Sequence, residues 1–162
     1  MAAVTTDLPL EGRFEGTDHR FPVRVYFEDT DLSGVVYHAN YLRYMERARS
    51  AMLRAAGIDQ RAAHEAGEGA YAVRDLHIHY TAPARLDDTL TVVTRMEQIR
   101  SPSVHIHQRV MRGDVMLAEA RVEAVFVSQG GRARRQPADW LARFESIMNG
   151  DLVVNPVDRG ND

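Results

Sequence analysis

Hydrophobic and polar residues alternate near the N-terminus, and the spacing then changes to that of a helix. Residues 23–27 read VRVYF, with an apolar side chain at every second position, which predicts a half-buried strand. Between residues 41 and 55 apolar side chains recur at intervals of three or four, so we expect a long amphipathic helix there. Asn40 is the predicted cap at its start, and Gly57 is the predicted stop.

Four later segments return to the alternation of strands, and turn-forming residues separate them. The predicted strands are residues 73–80, 89–99, 103–112 and 115–127. Two shorter helices are predicted at residues 59–66 and 138–148. A strand, a long helix and four consecutive strands in a meander indicate an α+β fold, in which a five-stranded antiparallel sheet wraps around a long central helix.

The composition is that of one folded domain without a strong overall charge. The chain has 162 residues, of which 20 are basic and 23 acidic, and its formal charge is −3. This balance provides no positive field for nucleic acid, so we expect no nucleic-acid partner. We expect the domain to cover residues 21–148, between polar tails at residues 1–20 and 149–162. No apolar run is long enough to span a bilayer and no signal segment is evident, so the expected location is the cytoplasm.

The absence of cysteine narrows the possible chemistry. It excludes disulfides, thiolate nucleophiles and zinc sites with cysteine ligands. Any catalytic site in this chain is therefore built from carboxylates, hydroxyls, histidines or backbone groups.

The most specific signal is the run EDTDLSGVVYHANY at residues 28–41. It reproduces without a gap the motif Glu-Asp-Thr-Asp-x-x-Gly-Val-Val-Tyr-His-Ala-Asn-Tyr. Through this motif the chain resembles the 4-hydroxybenzoyl-CoA thioesterase family, which has the hotdog fold, and within it the YbgC-like acyl-CoA thioesterase branch. A looser, collinear similarity extends over residues 21–148. One position departs from the pattern, because Phe27 stands where the branch often has tyrosine.

The resemblance implies hydrolysis of acyl-CoA thioesters to a free acid and coenzyme A, without a metal or an organic cofactor. Asp31 is the expected catalytic carboxylate, either as the general base for water or as a nucleophile. His38 is the second expected catalytic residue, because in the family the amide at its position polarises the thioester carbonyl. Both positions suit the chemistry, since a turn lets a carboxylate project and the start of a helix stabilises an oxyanion. The expected substrate-binding residues are Gly34, Val35, Val36, Tyr37 and Tyr41.

The resemblance also implies a homodimer with a continuous sheet, often paired into a homotetramer, with active sites at the subunit boundaries. Acyl-CoA is the expected partner, and an acyl carrier protein is left open as a second one. Members of the branch are associated with the bacterial Tol-Pal envelope system and with phospholipid metabolism. We assign no chemical role to Glu28 and Asp29, because neighbours on a strand point to opposite sides.

Three alternatives stay open at the level of the sequence. A non-catalytic hotdog protein would bind acyl carriers or act as a scaffold, although the intact Asp31 argues against it. An acyl-carrier dehydratase would rely on a histidine with a helix carboxylate, whereas here the acid precedes the helix. A metal-binding β protein would use the pairs His77 with His79 and His105 with His107, each on one sheet face, but no carboxylate ligand stands at a convincing spacing.

Overall fold

A computed structural model describes residues 7–152, and within that range the chain forms six strands and three α-helices. The strands are β1 (Arg13–Glu15), β2 (Asp18–Arg24), β3 (Ala70–Tyr80), β4 (Thr89–Ile99), β5 (Ser103–Arg112) and β6 (Val115–Val127). The helices are α1 (His38–Ala55), α2 (Gln60–Glu65) and α3 (Ala138–Met148). Residues 1–6 and 153–162, which belong to the two predicted tails, lie outside the described residues.

The six strands form one antiparallel sheet in the order β1-β2-β4-β5-β6-β3. β4, β5 and β6 follow one another as the predicted meander requires. β3, however, pairs with β6, and β2 takes the place beside β4. The predicted meander is therefore wrong at β3, and the sheet has six strands instead of five. Alternation indicates which segments are strands and which side chains share a face, but it does not indicate which strand lies alongside.

The sheet begins inside the segment that was predicted to be an N-terminal tail. β1 and β2 form a hairpin whose two-residue turn starts at Gly16 with φ 60°, a conformation that glycine adopts without steric cost. Phe14 and His19 are both buried, and their rings lie 5.0 Å apart. β1 contains a single apolar residue, Phe14, and this is why its sequence has no visible period.

The first predicted strand also ends earlier than its alternation suggests. β2 stops at Arg24, and Val23 and Val25 are buried, whereas Phe27 is 83% exposed. Phe27 opens a single 3-10 turn, Phe27–Asp29, which directs the chain away from the sheet and toward α1. An apolar residue at the expected spacing therefore does not prolong the strand.

α1 is the long helix that the spacing predicts, and it packs against β2, β4 and β5. Its buried side chains include Tyr41, Tyr44, Met45, Ala48 and Met52. The helix starts at His38 after the cap residue Tyr37, so the predicted cap at Asn40 is wrong. Asn40 is instead buried in the first turn, where its side chain donates a hydrogen bond to the carboxylate of Asp29.

A buried amide ties α1 to the sheet. The side chain of Gln108 in β5 is fully buried, and its Nε2 donates to the carbonyl of Met45 at 2.9 Å and to Thr94 Oγ1 at 3.0 Å. Its Oε1 accepts a hydrogen bond from Arg49 at 2.9 Å. Because a buried polar group is costly unless it is paired, these bonds fix the helix in one position on the sheet.

The two short helices lie where they were predicted. α2 begins after Asp59, whose carboxylate accepts the N–H of Ala62 at 2.9 Å. α3 packs against β4 and contributes Trp140 and Phe144 to the core. Within residues 7–152, no helix combines the length and the apolar character that crossing a membrane requires.

Candidate active site

The loop between β2 and α1 folds into a tight turn with Asp31 at its beginning. The N–H of Asp31 donates to the carbonyl of Val35 at 3.0 Å, and the N–H of Gly34 donates to the carbonyl of Asp31 at 3.0 Å. Gly34 has φ 80°, where a residue with a Cβ atom is strained. Thr30 and Val36 pair across the turn as an isolated β-bridge. The turn leaves the side chain of Asp31 exposed, as a catalytic role requires.

The carboxylate of Asp31 is held in its charged form by Ser33. Oδ1 of Asp31 accepts hydrogen bonds from the backbone N–H of Ser33 at 2.8 Å and from the Ser33 hydroxyl. These bonds, with the hydroxyl first, lower the pKa of Asp31 from its ordinary value, and the charge of the nearby His38 lowers it further. Asp31 is therefore an ionised carboxylate at neutral pH, which is the form that a general base or a nucleophile needs.

The first turn of α1 carries backbone amides that no side chain caps. Tyr37 is the N-cap residue, at φ −59° and ψ 132°, and its side chain makes no capping hydrogen bond. The N–H of Tyr37 donates to the carbonyl of Asp29 at 2.9 Å, so the amide of His38 is the first one that belongs to the helix itself. Uncapped amides and the positive end of the helix dipole favour a negative charge at this position.

Tyr80, the last residue of β3, lies against the start of α1. Its hydroxyl donates to the carbonyl of His38 at 2.8 Å. Its ring centre is 6.3 Å from that of His38 and 5.3 Å from that of Tyr41, and Tyr37 continues the row at 4.6 Å from His38. Burial raises the pKa of Tyr80, so its phenol is neutral at neutral pH. Four rings therefore form an aromatic wall beside the helix start: Tyr37, His38, Tyr41 and Tyr80.

An open cleft of about 300 Å³ lies along this wall. It is lined by Val36, His38, Tyr41, Tyr80 and residues 81–83. The first three are predicted site residues, whereas Tyr80 and the loop that follows β3 were not predicted as part of the site. The sequence contains one indication of their role: Tyr80, Pro83 and Ala84 lie in the part of the chain that shows the looser similarity to the family.

The five predicted substrate residues, Gly34, Val35, Val36, Tyr37 and Tyr41, differ in burial and in whether they line the cleft. Val36 and Tyr41 are buried and both bind Ala84, since the N–H of Val36 donates to its carbonyl at 2.8 Å and the Tyr41 hydroxyl accepts its N–H at 3.0 Å. Burial raises the pKa of Tyr41, so this phenol is also neutral. Tyr37 is 47% exposed, and Val35 is half-buried. Asp31, Gly34, Val35 and Tyr37 are not among the residues that line the cleft.

The two histidine pairs lie on β3 and β5. His77 and His79 are exposed, while His105 and His107 face glutamates of β6. His107 Nε2 lies 2.6 Å from Glu119 Oε1, and this hydrogen bond lowers the pKa of Glu119. In the described part of the chain, no group of three or more His, Cys, Asp or Glu side chains is arranged to hold a metal ion.

Comparison with known families identifies the class of protein to which this fold belongs. A protein-family model described as the thioesterase-like superfamily matches residues 25–145, and the chain belongs to this superfamily. The matched range contains the loop of Asp31, α1 and the whole sheet from β3 onward.

Two named relatives indicate a particular branch of this superfamily. The chain is 44% identical to the acyl-CoA thioesterase YbgC of Haemophilus influenzae over 68% of its own length and 81% of the relative. It is 46% identical to the acyl-CoA thioester hydrolase YbgC of Escherichia coli O157:H7, over 78% of its length and 95% of the relative. The resemblance to the YbgC-like branch is therefore confirmed.

Solved structures agree with the fold. The crystal structure of a probable thioesterase from Bartonella henselae is 37% identical, with a TM-score of 0.70, and the match covers 74% of this chain and 99% of that one. The predicted hotdog arrangement is confirmed, with one more strand in the sheet than expected.

Proposed function

We propose that this chain hydrolyses acyl-CoA thioesters to a free acid and coenzyme A, with Asp31 as the catalytic carboxylate and the His38 amide as a donor to the oxyanion. The observation that carries this proposal is the loop in which an exposed, ionised Asp31 leads within seven residues to the uncapped start of α1. The names of the YbgC relatives support the substrate class.

The reaction can follow two balanced routes from this arrangement. In the first, Asp31 removes a proton from water, the water oxygen bonds to the acyl carbon, and the carbon–sulfur bond breaks as the proton passes from Asp31 to the leaving sulfur, which releases the free acid and coenzyme A. In the second, the Asp31 carboxylate bonds to the acyl carbon and expels the thiolate. Water then cleaves the mixed anhydride to the free acid and the Asp31 carboxylate, and the proton released goes to the thiolate. Both routes place a negative charge on the carbonyl oxygen, which the amide of His38 would stabilise.

The aromatic wall gives the other predicted residues a physical role. The ring of His38 lies 4.6 Å from that of Tyr37 and 6.3 Å from that of Tyr80, while its amide belongs to the helix start. Tyr37 does not line the cleft, but it is the most exposed of the wall's three tyrosines and would offer its ring to the substrate. Gly34 and Val35 contribute through the turn that holds Asp31, and Val36 and Tyr41 through the floor of the cleft.

We also propose that two copies of the chain pair through β3. β3 is an edge strand of 11 residues, whereas the opposite edge strand, β1, has only three. Long edge strands present unpaired backbone groups, and proteins protect them or pair them. Apolar side chains on β3 are also exposed, with Val73 at 50% and Tyr80 at 39%. Because Tyr80 belongs to the aromatic wall, such a dimer would place the second copy next to the active site.

The decisive experiment measures hydrolysis of a panel of acyl-CoA chain lengths and of aromatic acyl-CoAs by wild type and Asp31→Asn. We expect the substitution to lower kcat by roughly 100-fold or more, the usual contribution of a positioned base. Asp114→Asn is the matched control, because this aspartate is exposed in the turn between β5 and β6. Equal rates for wild type and Asp31→Asn would refute the proposed role of Asp31. Binding of acyl-CoA without turnover by the wild type would favour the non-catalytic alternative.

The panel also addresses the partner and the route. The same thioesters carried on an acyl carrier protein test whether such a protein is a second substrate. A single turnover in H₂¹⁸O identifies the second route if the label enters Asp31, because only an anhydride cleaved at the protein carbonyl leaves a solvent oxygen there.

A further inference from the structure

A buried carboxylate lies beneath the loop of Asp31. Asp29 is only 4% exposed, and its two oxygens bind different parts of the chain. Oδ2 accepts the backbone N–H of Tyr26 at 2.8 Å, before the loop, and Oδ1 accepts the side-chain amide of Asn40 at 2.8 Å, in the first turn of α1. The sequence pattern gave this residue no role.

The backbone of Asp29 reinforces the same connection. Its carbonyl accepts the N–H of Tyr37, the residue directly before His38, at 2.9 Å. Asp29 therefore binds the helix start twice, once through its backbone and once through its side chain. Asp31 follows only two residues later, so Asp29 links the two groups that the proposed reaction needs, the carboxylate of Asp31 and the amide of His38.

The cost of burying this carboxylate argues for a function of the connection. A buried carboxylate loses its hydration and is tolerated only with well-placed donors. Neither of the two donors described above is a cation. The hydroxyl of Tyr44 is also buried beside Asp29, and after burial itself the interaction with this carboxylate is what raises the pKa of Tyr44. An apolar residue would fill this position at lower cost, but it would not fix the loop and the helix relative to each other.

We propose that Asp29 and Asn40 are positioning residues, whose buried hydrogen bond sets the distance between the Asp31 carboxylate and the His38 amide during thioester hydrolysis. The inference rests on the proposed function. Neither side chain needs to touch the substrate. Their effect is on the geometry of attack, where an error of about 1 Å can cost about 100-fold in rate.

Three variants test the hydrogen bond itself. Asn40→Ala removes the donor and keeps a residue that favours helices. Both partners of Asp29 are donors, the N–H of Tyr26 and the amide of Asn40. Asp29→Asn replaces one accepting oxygen with an NH₂ group, so one of these two donors then faces another donor. The double variant Asp29→Asn with Asn40→Asp reverses donor and acceptor, so the new amide at position 29 can accept from Tyr26 and donate to the new carboxylate at position 40. Glu28→Gln is the matched control, an exposed neighbour that undergoes the same kind of change.

We expect each single variant to lower kcat by about tenfold or more while KM stays within about twofold, and the double variant to return to within about threefold of wild type. The acid limb of the kcat/KM profile should stay in place in Asn40→Ala, because the bonds from Ser33 to Asp31 remain. Thermal melts and active-site titration correct each rate for folded enzyme, so a loss of stability alone is separated from a loss of geometry.

Two results would overturn the inference. The first is an Asn40→Ala variant whose kcat per folded molecule equals that of wild type. The second is a double variant whose kcat remains as low as that of the slower single variant. Both are distinct from failure of the proposed function, which would appear as an inactive wild type or as full activity of Asp31→Asn.

Discussion

The hydroxyl of Tyr80 donates a hydrogen bond to the carbonyl of His38 at 2.8 Å, and it thereby joins the end of β3 to the start of α1. The two residues are 42 positions apart in the sequence. The carbonyl belongs to the same residue whose amide is the proposed oxyanion donor. The bond therefore attaches the backbone of His38 to the sheet.

Replacing Tyr80 with phenylalanine removes this bond and keeps the aromatic ring. We expect a loss of about 1 kcal/mol, the net value of a typical hydrogen bond, and hence a decrease of roughly fivefold in kcat/KM. The measurement is steady-state hydrolysis of an acyl-CoA by Tyr80→Phe and wild type at equal folded concentration. A rate equal to that of wild type would mean that the bond does not position His38.

Much of this fold follows from local pattern. The bounds of β4, β5, β6 and α3 agree with the prediction, because each segment combines a regular period with turn residues or a proline at its limits. The failures have non-local causes. Asparagine is a residue type that often caps helices, but the side chain of Asn40 lies inside the helix and binds Asp29, 11 residues earlier. The neighbour of β3 depends on how the whole sheet assembles, which alternation does not encode.

The amide and the side chain of His38 can be separated by substitution. Proline is tolerated at the first position of a helix and has no N–H, and Tyr37 already has the extended backbone, φ −59° and ψ 132°, that a residue before proline prefers. We expect His38→Pro to lower kcat by roughly 100-fold, the cost of one oxyanion donor at about 3 kcal/mol. His38→Ala keeps the amide and should lose much less. Equal losses in the two variants would assign the role to the imidazole ring.

Ser33 offers a test of the charge state of Asp31. Its hydroxyl is the main cause of the lowered pKa of Asp31, so Ser33→Ala should raise that pKa toward its ordinary value. Since the proposed reaction needs the ionised carboxylate, the acid limb of the pH profile of kcat/KM should move to higher pH, while the rate near neutral pH changes little. The profile is measured over the acidic range in which the protein stays folded. An acid limb at the same pH in both proteins would mean that another group controls it.

The candidate site could be predicted only where it is continuous in sequence. Asp31, Gly34 and His38 lie within one segment whose motif is specific, and the structure places them in one turn and the helix that follows. Tyr80 reaches the site from the far end of the sheet, and no local pattern indicates that contact. Asp29 was missed for another reason. It is buried in the 3-10 turn, whereas Glu28 and Asp29 were predicted to be neighbours on a strand and neither was given a role.

The open edge of β3 makes a prediction about assembly. If two copies pair through this strand, a charge at Val73 should disrupt the pairing, because a lysine on an edge strand opposes the approach of another strand. Val115→Lys is the matched control, since this valine is likewise 50% exposed but lies at the start of β6. By light scattering, we expect wild type and Val115→Lys to have two or four times the chain mass of 18.3 kDa. Val73→Lys should shift toward one chain mass and lose hydrolysis in parallel, because the second copy would adjoin the aromatic wall at Tyr80. A monomeric wild type, or an unchanged mass for Val73→Lys, would contradict pairing through β3.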